Sequence, residues 1–179
     1  LIQAADPMAH RRDSAFPRGR GAGRRYWPNA GRIGLPRALA LPPLAALAER
    51  LEHAAPDLIK PNAEELAGLT GVSADSLEDA VARGDAGPVV AAARRLIDRG
   101  VGAVLATLGA AGAVLVNADG AWLATPPPIT PRSTVGAGDS SLAGYVRADV
   151  LGTDAPGRLQ MAVAYGSGAA ALPGSALPS

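Results

Sequence analysis

The chain has 179 residues, a net charge of +1 and a hydrophobic content of 48%, which is enough to bury a core. It contains no cysteine, and this excludes disulfides, thiolate metal sites and cysteine nucleophiles. No apolar run reaches the roughly 18 residues of a membrane helix, and the first ten residues lack the pattern of a signal peptide. We therefore expect a cytoplasmic protein without a membrane partner.

The small net charge conceals two segments of opposite charge. Residues 1–40 contain eight arginines and two aspartates, a net charge of +6, whereas residues 41–179 contain nine basic and fourteen acidic side chains, a net charge of −5. The stretch from His10 to Arg37 is rich in Arg, Gly and Pro and has little apolar periodicity, so we predict a loop or disorder there. We interpret residues 1–40 as a basic leader that is disordered or foreign to the fold. Residues 41–179 are predicted to form the folded domain.

Helical and strand patterns alternate from Pro43 onward. The predicted elements of the first half are a helix from Pro43 to about residue 55, a strand over 57–60, a helix from Asn62 to Gly71, a short helix over 76–83 and a helix over 88–99. Asn62 followed by Glu65 is the signature of a capped helix start.

The second half begins with a strand, Val101 to Leu108, which is apolar throughout and is predicted to be buried on both faces. A turn over 109–112 follows, then two strands over 113–116 and 121–124 around a hairpin signal, and helices from 136–139 to about 151 and from 154 to about 172. Alternating helices and buried strands predict an α/β fold with a mainly parallel sheet.

A glycine-rich segment, Ser133 to Ser140, lies immediately before a predicted helix. Gly136 and Gly138 permit a tight turn, and the free N–H groups at the helix start, with the helix dipole behind them, favour an anion. Asp139 would repel an anion, so we interpret it as a base that accepts a proton from an attacking hydroxyl. This pair suits phosphoryl transfer, and an acidic N-cap is the alternative. The spacing does not match a Walker A loop or a dinucleotide-binding loop.

Two further segments follow predicted strands, where ligands of open α/β sheets gather. The first contains Lys60, the only lysine of the chain, with Asn62 and Glu65, whose oxygens are suited to Mg²⁺ and its waters. The alternative for Asn62 and Glu65 is that they only cap their helix. The second runs from Thr107 to Gly112, where two glycines would permit close approach of a nucleotide.

Together these three segments resemble the PfkB family of carbohydrate kinases over about residues 42 to 179. The resemblance implies a ribokinase-like fold, a three-layer α/β/α sandwich with a mainly parallel sheet, and it implies ATP and Mg²⁺ as cofactors. Lys60-Pro61-Asn62 and the segment Ser133 to Ser140 are similar to the branch that phosphorylates sugar phosphates. Fructose 1-phosphate is the substrate that this similarity favours, and tagatose 6-phosphate, fructose 6-phosphate and other sugars remain open.

The resemblance also implies roles for individual residues. Asp139 would be the catalytic base, and the backbone of Gly136, Ala137 and Gly138 would hold the transferred phosphoryl group. Asn62 and Glu65 would organise Mg²⁺ and the phosphates, with Lys60 near the nucleotide. The ATP site would be lined by Thr107, Leu108, Gly109, Ala110, Ala111 and Gly112. Gly166 and Ser167 would lie beside the adenine and ribose, although packing between helices explains them as well.

The chain is about half as long as a complete family member, and residues 1–40 resemble no part of one. We therefore expect a C-terminal fragment with an unrelated leader, inactive or nearly so because half of the sugar site is absent. The sequence does not identify the sugar phosphate, and it leaves a homodimer of the complete protein open.

Two functions of other classes remain as alternatives. A non-catalytic module that binds a nucleotide or a partner is one of them. Nucleic-acid binding by the leader is the other, since its arginines attract phosphates and Tyr26 and Trp27 are able to stack on bases. For the leader we favour a basic segment without such a role.

Overall fold

The structure is a computed structural model, and it describes residues 2–4 and 56–173. The strands are β1 (Ile2–Ala4), β2 (Ala103–Thr107), β3 (Ala113–Asn117) and β4 (Gly120–Ala124). The helices are α1 (Ala63–Thr70), α2 (Ala74–Ala82), α3 (Gly87–Ile97), α4 (Ala137–Val150) and α5 (Ala155–Ala170), with a 3₁₀ turn at Gly109–Ala111. The predicted helix from Pro43 and most of the basic leader lie outside the described residues.

The strands form one sheet in the order β1-β4-β3-β2, and each pair is antiparallel. Beyond β2, residues 56–62 run parallel to that strand: the N–H of Ile59 donates to Ala103 (3.0 Å) and the N–H of Leu105 donates to Ile59 (2.9 Å). The predicted strand over 57–60 is therefore present as an extended segment. The antiparallel pairs differ from the mainly parallel sheet that we expected, because the short connections after β2 and β3 can join only antiparallel neighbours.

The turn between β3 and β4 shows why this hairpin was recognisable in the sequence. Asn117 pairs with Gly120 across a two-residue loop. The side-chain oxygen of Asn117 accepts hydrogen bonds from the N–H groups of Asp119 (2.9 Å) and Gly120 (3.1 Å). Asparagine is favoured in such turns because its side chain can bond to the backbone two residues later. The predicted hairpin is confirmed.

Both faces of the sheet are covered, as the alternation of side chains requires. Val104, Val114 and Val116 point to one face and pack in a core with α1, α2 and α3. Leu105 and Leu115 point to the other face, against α4 and α5. The predicted three-layer α/β/α arrangement is thus confirmed in the described part of the chain.

The helix ends follow local signals. Gly71 ends α1 with φ 75°, a left-handed conformation that glycine adopts without a steric penalty. Helix α2 begins earlier than predicted because Ser73, rather than a later residue, caps it. The short strand β1 was not predicted, and its Ile2 pairs with Ala124 at the edge of the sheet. In the portions described, no helix has both the length and the apolar character needed to cross a bilayer.

Candidate active site

The extended segment 56–62 and strand β2 end side by side and bring two of the predicted segments together. The N–H of Thr107 donates to the carbonyl of Pro61 (2.9 Å), and Asn62 is paired with Thr107 in the parallel direction. Lys60, Asn62 and the start of the 107–112 turn therefore share one edge of the sheet. This is the edge at which open α/β sheets bind ligands.

The glycine turn at the start of α4 has the geometry that favours an anion. Gly136 has φ 80°, and no side chain caps the helix that follows it. The N–H of Ala137 donates to Thr134 at 3.3 Å, whereas no hydrogen bond among the described residues uses the N–H of Gly138 or Asp139. These two unpaired donors lie at the positive end of a helix of 14 residues.

Asp139 is the third residue of α4, not its N-cap, so the alternative of an acidic N-cap is wrong. Its side chain is exposed, and among the described residues it forms no ion pair with Lys60. A carboxylate in the first turn of a helix is favoured by the helix dipole. The carboxylate is thus exposed to solvent in the first turn of the helix, beside the two unpaired N–H donors.

Lys60 is brought to the glycine turn from a distant part of the chain. A Cβ atom built on Gly138 would lie 3.1 Å from the Lys60 Nζ, so the ammonium group covers Gly138. A cation at a helix N-terminus is unfavourable, because the helix dipole is positive there. The amine and the uncapped helix start therefore concentrate positive charge in one place, and an anion bound between them would remove the repulsion.

Asn62 and Glu65 form a complete capping box. The N–H of Glu65 donates to Asn62 Oδ1 (2.8 Å), and the N–H of Asn62 donates to Glu65 Oε2 (2.8 Å). Within residues 2–4 and 56–173, no group of three or more His, Cys, Asp or Glu could enclose a metal. The free lone pairs of Asn62 and Glu65 fit a hydrated Mg²⁺ that arrives on phosphates, rather than a dedicated metal cage. Their role toward Mg²⁺ stays a prediction.

We expect Asn62→Ala to lower the free energy of unfolding by about 1 kcal/mol, because it removes an N-cap. Chemical denaturation measures this loss. Asn62→Ser restores a capping oxygen and serves as the control, and it should recover most of the stability. Equal stability of the alanine variant and the wild type would show that the capping box contributes nothing.

The 107–112 turn divides into structural and accessible residues. Leu108 is 1% exposed and belongs to the core. Gly112 has φ 121°, and a Cβ there would collide with the carbonyl oxygen of Ala124, so the fold itself requires this glycine. Gly109 and Ala110 are exposed, and a Cβ on Gly109 would meet nothing within 4 Å. The exposed half of the turn is the part free to contact a ligand.

Gly166 lies in α5 and faces α4. A Cβ on Gly166 would collide with Ser141 Oγ and would lie 3.3 Å from the carbonyl oxygen of Ala137. This contact fits the alternative of helix packing for Gly166. The neighbouring Ser167 is half-buried, and the predicted contact of both residues with a nucleotide stays a prediction.

Sequence reasoning did not find three contacts that build this site. Lys60 meets Gly138 across 78 positions of sequence, and Gly166 meets Ala137 across 29. The N–H of Arg132 donates to the carbonyl of Ala170 (2.8 Å). Gly138 and Gly166, two glycines in otherwise helical segments, are the only sequence signal for any of these three contacts.

Known proteins similar to this chain share one family. Residues 39–179 match the pfkB family carbohydrate kinases. A 1-phosphofructokinase of Rhodobacter capsulatus is 42% identical over 125 residues, which are 70% of this chain and 37% of the relative. The 1-phosphofructokinase of Escherichia coli K12 is 38% identical over 111 residues, which are 62% of this chain and 33% of the relative.

Solved structures give the same relationship. Phosphofructokinase-2 of Escherichia coli in complex with substrates and products superposes with a TM-score of 0.65 and 31% identity, covering 76% of this chain and 41% of that protein. A candidate ribokinase II of Escherichia coli in complex with ATP and Mg²⁺ has a TM-score of 0.58 and 25% identity, covering 73% and 37%.

The chain spans about a third of the length of the two 1-phosphofructokinases that it matches. The family match nevertheless includes every predicted site residue, from Lys60 to Ser167. The ribokinase-like fold predicted from the sequence is confirmed by the structural relatives. The chain belongs to the pfkB family of carbohydrate kinases.

Proposed function

We propose that this chain carries the phosphoryl-transfer site of an ATP-dependent kinase that acts on a sugar phosphate, with fructose 1-phosphate as the first candidate substrate. One observation carries the proposal: the Lys60 amine lies over an uncapped helix start, next to an exposed aspartate. The similarity to two 1-phosphofructokinases supports the choice of sugar phosphate.

The chemistry follows from the charges of the site. The Asp139 carboxylate accepts the proton of a sugar hydroxyl as that oxygen bonds to the terminal phosphorus of ATP. The bond between this phosphorus and the bridging oxygen breaks, and ADP leaves with the electron pair. The N–H groups of Gly138 and Asp139, with the Lys60 ammonium, stabilise the charge on the transferred group.

Mg²⁺ neutralises part of the phosphate charge when it is bound with ATP. In this proposal Asn62 and Glu65 orient its waters, and the lone pairs that each keeps beyond the capping box support this role. The exposed residues Gly109 and Ala110 border the same edge of the sheet, and we assign them to the nucleotide side of the site.

The test is a titration of the chain with Mg·ATP by isothermal calorimetry, followed by an assay of ADP release. Because this chain is expected to be inactive or nearly so, the assay uses a full-length version of the protein. It is run separately with fructose 1-phosphate, fructose 6-phosphate and tagatose 6-phosphate, and without sugar. Saturable binding of Mg·ATP with ADP release greatest for fructose 1-phosphate would support the proposal. Binding without transfer to any of them would make the chain a nucleotide-binding module, and absence of binding would exclude both.

A further inference from the structure

We infer that the last turns of α5 hold the glycine turn of α4 in its phosphate-binding position, and that Gly166 is a positioning residue for that turn. The expected change in ATP binding rests on the proposed function. The structural part of the inference concerns only how two helices meet, and can be measured without a ligand.

Gly166 packs directly against the start of α4. It is buried, and its backbone faces the first turns of α4. A Cβ on Gly166 would collide with Ser141 Oγ, and it would lie 3.3 Å from the carbonyl oxygen of Ala137 and 3.5 Å from Ser141 Cβ. Any side chain at this position would therefore press on the peptide group that joins Ala137 to Gly138 and carries the free N–H of Gly138.

The segment that enters the turn is held by the same stretch of α5. The N–H groups of Arg132 (2.8 Å) and Ser133 (3.3 Å) both donate to the carbonyl of Ala170, at the end of α5. The last turn of α5 thus contacts both the residues that precede the glycine turn and the Ala137 peptide within it. By these contacts, residues 166–170 determine the orientation of the unpaired N–H donors at the start of α4.

Gly166→Ala should displace the glycine turn relative to α5. The side chain of Ser141 can rotate away from the new methyl group, but the carbonyl of Ala137 belongs to the backbone and can yield only if the turn moves. Phosphoryl-transfer sites depend on placing donors accurately, so a shift of a few tenths of an ångström matters there. We expect Mg·ATP to bind roughly tenfold more weakly, since hydrogen bonds to charged groups weaken with distance and angle.

Gly144 offers a matched control in the same pair of helices. A Cβ on Gly144 would lie 2.6 Å from the carbonyl oxygen of Met161 and 3.0 Å from Tyr165 Cβ, away from the glycine turn. Gly144→Ala therefore introduces the same methyl group elsewhere in the same helix pair, without direct contact with the turn. Its conflict with the backbone is closer than that of Gly166→Ala, so it should destabilise the fold at least as much. Both variants should lower the melting temperature, and only Gly166→Ala should weaken the binding of Mg·ATP.

The experiment measures the affinity for Mg·ATP and for adenosine, and the hydrogen exchange of the amides of residues 136–139, in both variants. The inference predicts that Gly166→Ala weakens the binding of Mg·ATP but not of adenosine, and that it speeds exchange in the turn. Adding Ser141→Ala should not restore the affinity for Mg·ATP, since the conflict with the Ala137 carbonyl remains. A parallel loss of adenosine affinity would overturn it, since Gly166 would then contact the base. Equal exchange in the two variants would also overturn it. A wild-type chain that binds no Mg·ATP would overturn the proposed function, while the exchange data would still decide the positioning role.

Discussion

Replacing Asp139 by asparagine in a full-length version of the protein is expected to lower the rate of phosphoryl transfer by roughly 10²–10⁴-fold, the usual contribution of a general base. The same substitution should leave the affinity for Mg·ATP unchanged or make it a few-fold tighter. Asparagine cannot accept the proton of the sugar hydroxyl, and it removes a negative charge beside the phosphates. Transfer is measured as sugar-dependent ADP release, and affinity by calorimetry.

Asp119→Asn is the matched control for Asp139. Asp119 is exposed in the turn between β3 and β4, so its substitution changes the net charge equally without touching the glycine turn. It should alter neither transfer nor affinity. If Asp139→Asn retained transfer, or if it weakened Mg·ATP binding, Asp139 would not be the base assigned here.

Lys60→Met is expected to weaken Mg·ATP binding by roughly 10–100-fold, the loss of one hydrogen bond between charged groups. The methionine side chain keeps much of the apolar stem and removes the ammonium group that covers Gly138. The free energy of unfolding should not fall and should rise slightly, because a cation leaves the positive end of α4. Calorimetry and chemical denaturation measure the two effects separately.

The opposite directions of these two effects make the Lys60 prediction selective. Arg83→Met removes an exposed cation at the end of α2 and is the control for the change in net charge. It should leave Mg·ATP affinity as it is. A Lys60→Met chain that binds Mg·ATP as tightly as wild type would remove Lys60 from the site.

Local features of this fold were predictable because each depends on neighbouring residues. The capping box of Asn62 and Glu65, the helix end at Gly71 and the hairpin at Asn117 are each determined by side chains within a few positions. The burial of β2 on both faces was also visible, since its sequence is apolar throughout. From these signals, two candidate segments were correctly placed after strands and the third was correctly placed at the start of a helix.

The contacts that join the segments were not predictable, because they depend on how distant elements pack. Nothing near Lys60 indicates that its amine reaches Gly138. The antiparallel pairing of β2 with β3 was also not predicted, since apolar runs such as β2 are found in parallel and antiparallel sheets alike once both faces are covered. Strand β1 lies in the basic leader, where no strand was predicted.

Lys60 is the only lysine of the chain, so its reaction with an amine-selective acylating reagent reports on the central feature of the proposed site. The most direct test measures the acylation rate of Lys60 by mass spectrometry, with a lysine-containing peptide in the same tube as reference. We predict that saturating Mg·ATP slows acylation of Lys60 strongly, that adenosine does not, and that the reference is unaffected. Equal rates of Lys60 acylation with and without Mg·ATP would contradict an ATP phosphate site between Lys60 and the glycine turn.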